Sequence, residues 1–256
     1  MLSIIPIALN GDITAGQNLS ETIVNTIKLS NLEIEDFDIL VIAQKIISKS
    51  EGRMINVESI NPSNEALELA RIHEKDPRLI QLILNESKRI VRLSKKHIIS
   101  QTKHGFICAN AGIDQSNVSN DPKYVLLLPE DPDRSARKIR KEIFEISKKN
   151  VSVIISDTFG RPFRNGQTNV AIGISGINPL RSYIGKSDQY GRELRVTEIA
   201  IADEIASAAE LVMEKALKVP VAIVRGYKYE FAQSENETKS NIGILIRNEN
   251  EDLFVK

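Results

Sequence analysis

The sequence predicts a mixed α/β protein, with mixed sheets flanked by helices, and neither a Rossmann fold nor a TIM barrel. Three observations lead there. Apolar runs of strand length recur without strict alternation, as strands covered on both faces require. Helical three-and-four spacings lie between them. Strands and helices alternate too loosely for a regular βαβ count, and the chain holds neither Gly-x-Gly-x-x-Gly nor Gly-x-x-x-x-Gly-Lys-Ser/Thr.

Residues 2–8 are short, β-branched and bounded by Asn10-Gly11, a strand running into a turn. A helix fits residues 19–30, and a strand residues 38–44. Helical spacing returns over residues 64–73 and 77–89, followed by a strand at 124–128. Over residues 133–149, Ala136, Ile139, Ile143 and Ile146 share one face, with Asp133 expected as the N-cap. Strands follow at 151–156 and 170–175. Residues 197–215 read as a long helix with the stripe Ile201, Ile205, Ala209, Val212 and Met213, capped by Thr197. The last strand spans 220–225. Residues 232–240 are polar and read as loop, and 241–254 as an ordinary amphipathic helix.

With 256 residues and 41% hydrophobic composition, the chain can bury a substantial core, as one domain over residues 1–256 or two intertwined subdomains without a linker. Lys plus Arg and Asp plus Glu number 34 each, so bulk charge recruits neither nucleic acid nor an anionic membrane. Cys108 is the only cysteine, which excludes an internal disulfide framework and a multi-cysteine zinc site. An inert, buried thiol in a cytoplasmic protein is expected. The apolar start, residues 1–9, is too short to span a bilayer and has no basic leader, and no run of about 18 apolar residues follows.

The strongest chemical signal lies at residues 151–167. There an apolar strand ends in Asp157-Thr158 and enters a loop with Arg161 and Arg164. A carboxylate and a hydroxyl at a strand end suit a hard cation, and guanidiniums suit phosphate or carboxylate. A strand-end aspartate capping a turn, beside surface arginines, accounts for the same residues. Residues 104–118 add Asp114, Ser116 and Asn117 among small residues, readable as oxygen ligands or as an Asx turn. Residues 39–53 carry a strand into Lys45, Lys49 and Arg53, cations for phosphate or plain surface lysines. The turn Asn10, Gly11, Asp12, Ile13 offers backbone groups to a ligand. His104 reads equally as a loop hydrogen-bonder or a base.

Eight segments occur in the order seen in one family: AQKIISKSEGR, KHGFICANAGIDQSNV, LLPEDPDRSA, VIISDTFGRPFRNGQ, VAIGISGINPL, DQYGRELRVT, ADEIASAAELVM and VPVAIVRG. Together they make the chain, over residues 5–231, resemble the coenzyme F-420-0:L-glutamate ligases of the stand-alone archaeal type, without a C-terminal nitroreductase-like domain. The resemblance implies GTP-dependent amide formation between L-glutamate and the lactyl carboxylate of coenzyme F-420-0 through an acyl phosphate, with further gamma-linked addition open. It implies Mg or Mn, leaves room for a monovalent cation such as K, and implies a homodimer. Carried over by position, it makes Asp114, Asp157 and Thr158 metal ligands. It makes Asn10, Gly11, Asp12, Ile13, Gln44, Lys45, Lys49, Asn117 and the stretch Met213, Glu214, Lys215, Ala216, Leu217, Lys218, Val219 nucleotide contacts. Many relatives carry Gly then Gln or Glu after the methionine, where this chain has Glu214-Lys215. That departure puts a metal ligand there in doubt. A metal-dependent phosphohydrolase and a non-catalytic nucleotide-binding protein remain alternatives.

Overall fold

At the centre of the computed structural model, which describes residues 1–94, 97–232 and 241–252, lies a five-stranded mixed sheet. Its order is β1 (Ser3–Ile7), β12 (Val221–Arg225), β2 (Ile39–Ala43), β8 (Ser152–Arg161) and β9 (Arg164–Ser175). β2 and β8 run parallel, and the other neighbouring pairs are antiparallel. Successive residues of a strand point to opposite faces, yet Ile39, Leu40, Val41 and Ile42 are all fully buried. Both faces are therefore covered, which explains why these strands show no alternation.

Helix α5 (Pro132–Ser147) packs on β8 and β9 and is itself covered by α1 (Leu19–Leu29). Their apolar faces meet through Ile23, Ile27, Ile139 and Ile143, all in one core cluster. Helix α6 (Ile201–Met213) packs on every strand of the sheet. Gly173 of β9 lies so close to α5 that a Cβ there would stand 2.6 Å from the backbone of Pro132. The helix and strand meet at that spot because glycine has no side chain.

A second, smaller cluster gathers around α3 (Asn64–His73) and α4 (Pro77–Glu86), with Ile80, Ile83, Ile98 and Val125 at its centre. Three strands border it: β4 (Ser87–Leu93), β5 (Ile98–Thr102) and β6 (Ile107–Ala109) form an antiparallel sheet. β3 (Met54–Asn56) pairs with β7 (Tyr124–Leu126), and β10 (Arg181–Ser182) with β11 (Glu198–Ile199). The short helix α2 (Gln44–Ser50) leaves β2 with no intervening loop.

Four expectations need correction. The N-cap of α5 is Asp131, with Pro132 as the first helical residue, a place where a missing N–H costs nothing. Thr197 caps nothing, because α6 starts at Ile201 after the β10–β11 pair and ends at Met213. The helix begun at Pro77 stops at Glu86, where Ser87 opens a strand. Between Asn241 and Glu251 the chain makes two 3-10 turns, and no α-helix. Residues 253–254 of that stretch and residues 233–240 of the loop expected at 232–240 lie outside the described residues. Among the described residues no helix is long and apolar enough to cross a membrane.

Asp133, released from capping, is buried and accepts from the backbone N–H groups of Ile174 at 2.8 Å and Ile242 at 3.0 Å. It ties α5 to β9 and to the 3-10 turn at Ile242–Leu245. Asp133→Ala strands both donors away from water and is expected to cost about 2–4 kcal/mol. Asp133→Asn, which keeps one acceptor, should cost less, and urea unfolding midpoints of the three proteins check the order.

Candidate functional site

Parallel pairing of β2 with β8 sets Ala43, the last residue of β2, beside Ser156, and β8 runs on beyond that edge to Arg161. Gln44 and Lys45 open α2 there, beside Asp157 and Thr158. A cleft of about 860 Å³ lies over this edge. Crevices at strand carboxyl ends are the usual ligand sites of open α/β sheets.

One wall is α2, whose Lys45 and Lys49 stand four residues apart and so face the same way. Lys45 Nζ pairs with Asp114 Oδ2 at 2.8 Å and donates to the Ser116 carbonyl at 2.7 Å. Asp114 Oδ1 accepts from the Ser116 N–H at 2.8 Å, the Asx turn read from the sequence. Asp114 thus reaches the cleft only through Lys45 and does not itself line it.

The opposite wall is a directional chain of hydrogen bonds. Glu210 Oε2 accepts from Asn169 Nδ2 at 2.8 Å, which turns Asn169 Oδ1 toward Thr158. The Thr158 hydroxyl then donates to Asn169 Oδ1 at 2.7 Å, leaving its oxygen lone pairs to accept from Lys215 Nζ at 2.8 Å. A β-bulge supports this wall: Ile155 pairs with Gly173 but Ser156 with Ala171, one residue out of step. The Ala171 N–H consequently bonds Asp203 of α6 at 2.9 Å, and Ser207 bonds the Asn169 carbonyl at 2.7 Å. Asp203, Ser207 and Glu210 are a polar stripe at helical spacing, a signal present in the sequence and passed over in favour of the apolar one.

Asp157 lies between the walls. Burial pushes its carboxyl up to about 6, and the charge of Asp114 adds to the rise. The Thr158 N–H at 2.8 Å, Lys215 and Lys45 pull the other way. Two further polar atoms, Gln44 Oε1 and Ser156 Oγ, are buried at the cleft without a hydrogen-bond partner.

Glu214 leaves α6 with φ 39°, the left-handed region that favours glycine, and this turn carries Lys215 back over Thr158.

Comparison with known proteins fits this geometry. The family model described as F420-0:Gamma-glutamyl ligase matches residues 10–226. The chain belongs to that family. It is 49% identical over 238 residues to a coenzyme F420:L-glutamate ligase of Methanocaldococcus jannaschii, covering 93% of this chain and 90% of the relative. To proteins of the same description it is 44% identical in Methanothermobacter thermautotrophicus, over 94% and 93% of the two chains, and 44% identical in Methanopyrus kandleri, over 99% and 97%.

Within this member of the F420-0:gamma-glutamyl ligase family, the cleft brings together Gly11, Asp12, Ile13, Gln44, Lys45, Lys49, Asn117, Asp157, Thr158, Met213, Glu214, Lys215, Ala216, Lys218 and Val219. Asn10 and Leu217 do not line it. Arg161 and Arg164 are a plain correction. β8 continues past Thr158 into a tight hairpin with β9, and its exposed tip carries both guanidiniums away from the cleft. Arg53 is likewise engaged elsewhere, with Glu86 at 2.9 Å. His104 Nε2 lies 2.8 Å from the Pro129 carbonyl, a loop hydrogen-bonder. Cys108 is buried and burial pushes its thiol up to about 12, an inert group at neutral pH. Sequence reasoning missed Asn169, Glu210 and Ser156.

Because the Asp157 carboxyl in the folded chain titrates near 6 rather than near 3.8, the folded state holds a proton that the unfolded state releases between these values. Stability therefore falls as pH rises from 4 through 6, by on the order of 2 kcal/mol. In EDTA, Asp157→Asn should melt at a higher temperature than the parent at pH 8 and at an equal one at pH 4. Equal melting temperatures at both pH values would show that the carboxylate is not desolvated.

Proposed function

We propose that this chain joins L-glutamate to the lactyl carboxylate of coenzyme F420-0, using GTP and an acyl-phosphate intermediate. The observation that carries the reading is the cleft itself, which gathers Lys45, Lys49, Asp157, Thr158 and Lys215 at one sheet edge in a chain whose relatives are named for this substrate pair. In the first step the substrate carboxylate attacks the γ-phosphorus and GDP leaves. In the second the glutamate amine attacks the acyl carbon, the C–O bond breaks, and phosphate departs with the bridging oxygen. Further gamma-linked addition, a homodimer and a cytoplasmic setting belong to the same reading.

Both reactants in the first step are anions, so their encounter needs positive charge and exclusion of water. Lys45 and Lys49 lie where a triphosphate would pass along α2, and Lys49 and Lys218 make no ion pair among the described residues. The turn at Gly11, Asp12 and Ile13 presents backbone groups at the mouth. A Mg or Mn ion, when bound, would supply charge between the γ-phosphoryl group and the carboxylate. The donor set fits such an ion on one condition. Among the described residues no three His, Cys, Asp or Glu side chains form a cage. A magnesium-like ion, however, takes one or two carboxylates and completes its shell with substrate phosphates and water. Asp157 would hold it, while Thr158 would join only by releasing Lys215 and Asp114 only by releasing Lys45. A monovalent cation such as K has no separate observation in its favour.

The phosphohydrolase alternative uses the same acids and lysines with water as the attacking group. An oxygen-18 label decides between them. With the precursor carboxylate labelled, GTP, Mn and glutamate should yield glutamylated product by mass spectrometry and one labelled oxygen in the released phosphate. Unlabelled phosphate beside glutamylated product would overturn the acyl phosphate, and phosphate without glutamylated product would overturn the ligase. Asp157→Asn should lose at least about a hundredfold in turnover while keeping its circular dichroism, since it removes a charge and not core volume.

A further inference from the structure

The ammonium of Lys215 sits where the cleft is built to present an oxygen to a cation. Glu210 can only accept, so Asn169 must give it the Nδ2 hydrogen and turn Oδ1 to Thr158. Thr158 has one hydroxyl hydrogen, which goes to Asn169 Oδ1. Its remaining capacity is lone pairs aimed at the cleft, and these face Lys215 Nζ at 2.8 Å. The wall is therefore a cation acceptor by construction, and its cation is covalently attached to the chain. The Lys215 carbonyl also accepts from Asn117 Nδ2 at 3.4 Å, which anchors the segment across the cleft.

Charge points the same way. The charged residues lining the cleft are Asp12, Asp157, Glu210 and Glu214 against Lys45, Lys49, Lys215 and Lys218, so the site is neutral as it stands. A neutral side chain in place of Lys215 would leave it net negative, with the Thr158 oxygen free to ligate.

We propose that Lys215 is a built-in cation that takes the place of a divalent ion on the Thr158 oxygen, so that this chain takes up a single divalent ion, on Asp157 and the phosphates, together with its nucleotide. The proposal rests on the nucleotide and metal reading above and deepens it. Lys215 would then do two things: hold the Thr158 oxygen away from solvent before the nucleotide arrives, and meet the phosphate chain as a fixed positive charge afterwards. A lysine suits the second task because its ammonium is a compact point charge on a flexible stem. It cannot itself coordinate a metal while protonated.

Binding of Mn, counted from the electron paramagnetic resonance signal of the free aqua ion, tests this on the full chain without reference to turnover. The parent protein should bind no Mn tightly alone and one ion per chain with GTP. Lys215→Gln should bind Mn without nucleotide at least about tenfold more tightly than the parent, since a unit positive charge within a few ångströms has gone. With GTP it should take up two ions per chain. Lys215→Arg should behave as the parent, and Lys215→Gln combined with Thr158→Val should lose the gained ion. Two ions bound by the parent with GTP, or identical Mn binding by a Lys215→Gln protein of unchanged circular dichroism, would overturn the proposal. If no protein in the set takes up Mn with GTP, the metal reading itself falls and the proposal with it. If GTP changes nothing but Lys215→Gln still gains an ion, the built-in cation stands and the nucleotide reading falls.

Discussion

Everything at the site depends on the parallel contact between β2 and β8. In an antiparallel pair the residues after the two strands would leave at opposite ends of the sheet. Parallel pairing, with Ala43 beside Ser156, sends Gln44-Lys45 and Asp157-Thr158 out at one edge. The register is held by burial, because Ile39 to Ile42 and Val153 to Ile155 have no exposed face to slip onto. Strand hydrophobicity thus fixes where the charged residues meet, although it carries no chemistry itself.

The far wall is aimed by a defect in regular structure. The bulge between β8 and β9 frees the Ala171 N–H for Asp203, and α6 is pinned to β9 along Asp203, Ser207 and Glu210. Without that shift Asn169 would not meet Glu210 and Thr158 in the same orientation. Several features at this edge are unfavourable for stability: a desolvated Asp157, unpartnered Gln44 Oε1 and Ser156 Oγ, and a left-handed Glu214. Elsewhere the sheet is filled with isoleucine and valine, which supplies the stability that such a site draws down.

How much of this was legible depends on the kind of signal. The strands around 39–43 and 221–225 and the helix Asn64–His73 were plain, because apolar runs and helical spacing report burial directly. The helix Gln44–Ser50 was hidden: it has seven residues, no side-chain cap, and begins where the strand ends. Capping at residues 131–133 was ambiguous, since two aspartates flank one proline and only the proline's preference for the first helical position separates them. The hairpin at Pro162-Phe163 read as loop because Gly, Pro and Arg cluster there, and counting guanidiniums gave no direction for them. Asp157 and Thr158 were visible as a pair, although β8 runs on past them to Arg161. Their orienting partners Asn169 and Glu210 were not, because they come from two other elements and meet only through the bulge.

The neutrality of the cleft bears on how it selects a ligand. The whole chain carries no net charge, and the lining residues balance, so no long-range field draws a polyanion in. Discrimination has to come at contact, from directed groups: a hydroxyl oxygen turned outward and ammonium groups on fixed segments. A ligand that supplies acceptors to those ammonium groups recovers their desolvation, and one that lacks them leaves the charges unpaired. Such a site rejects a missing polar group more strongly than an added apolar one.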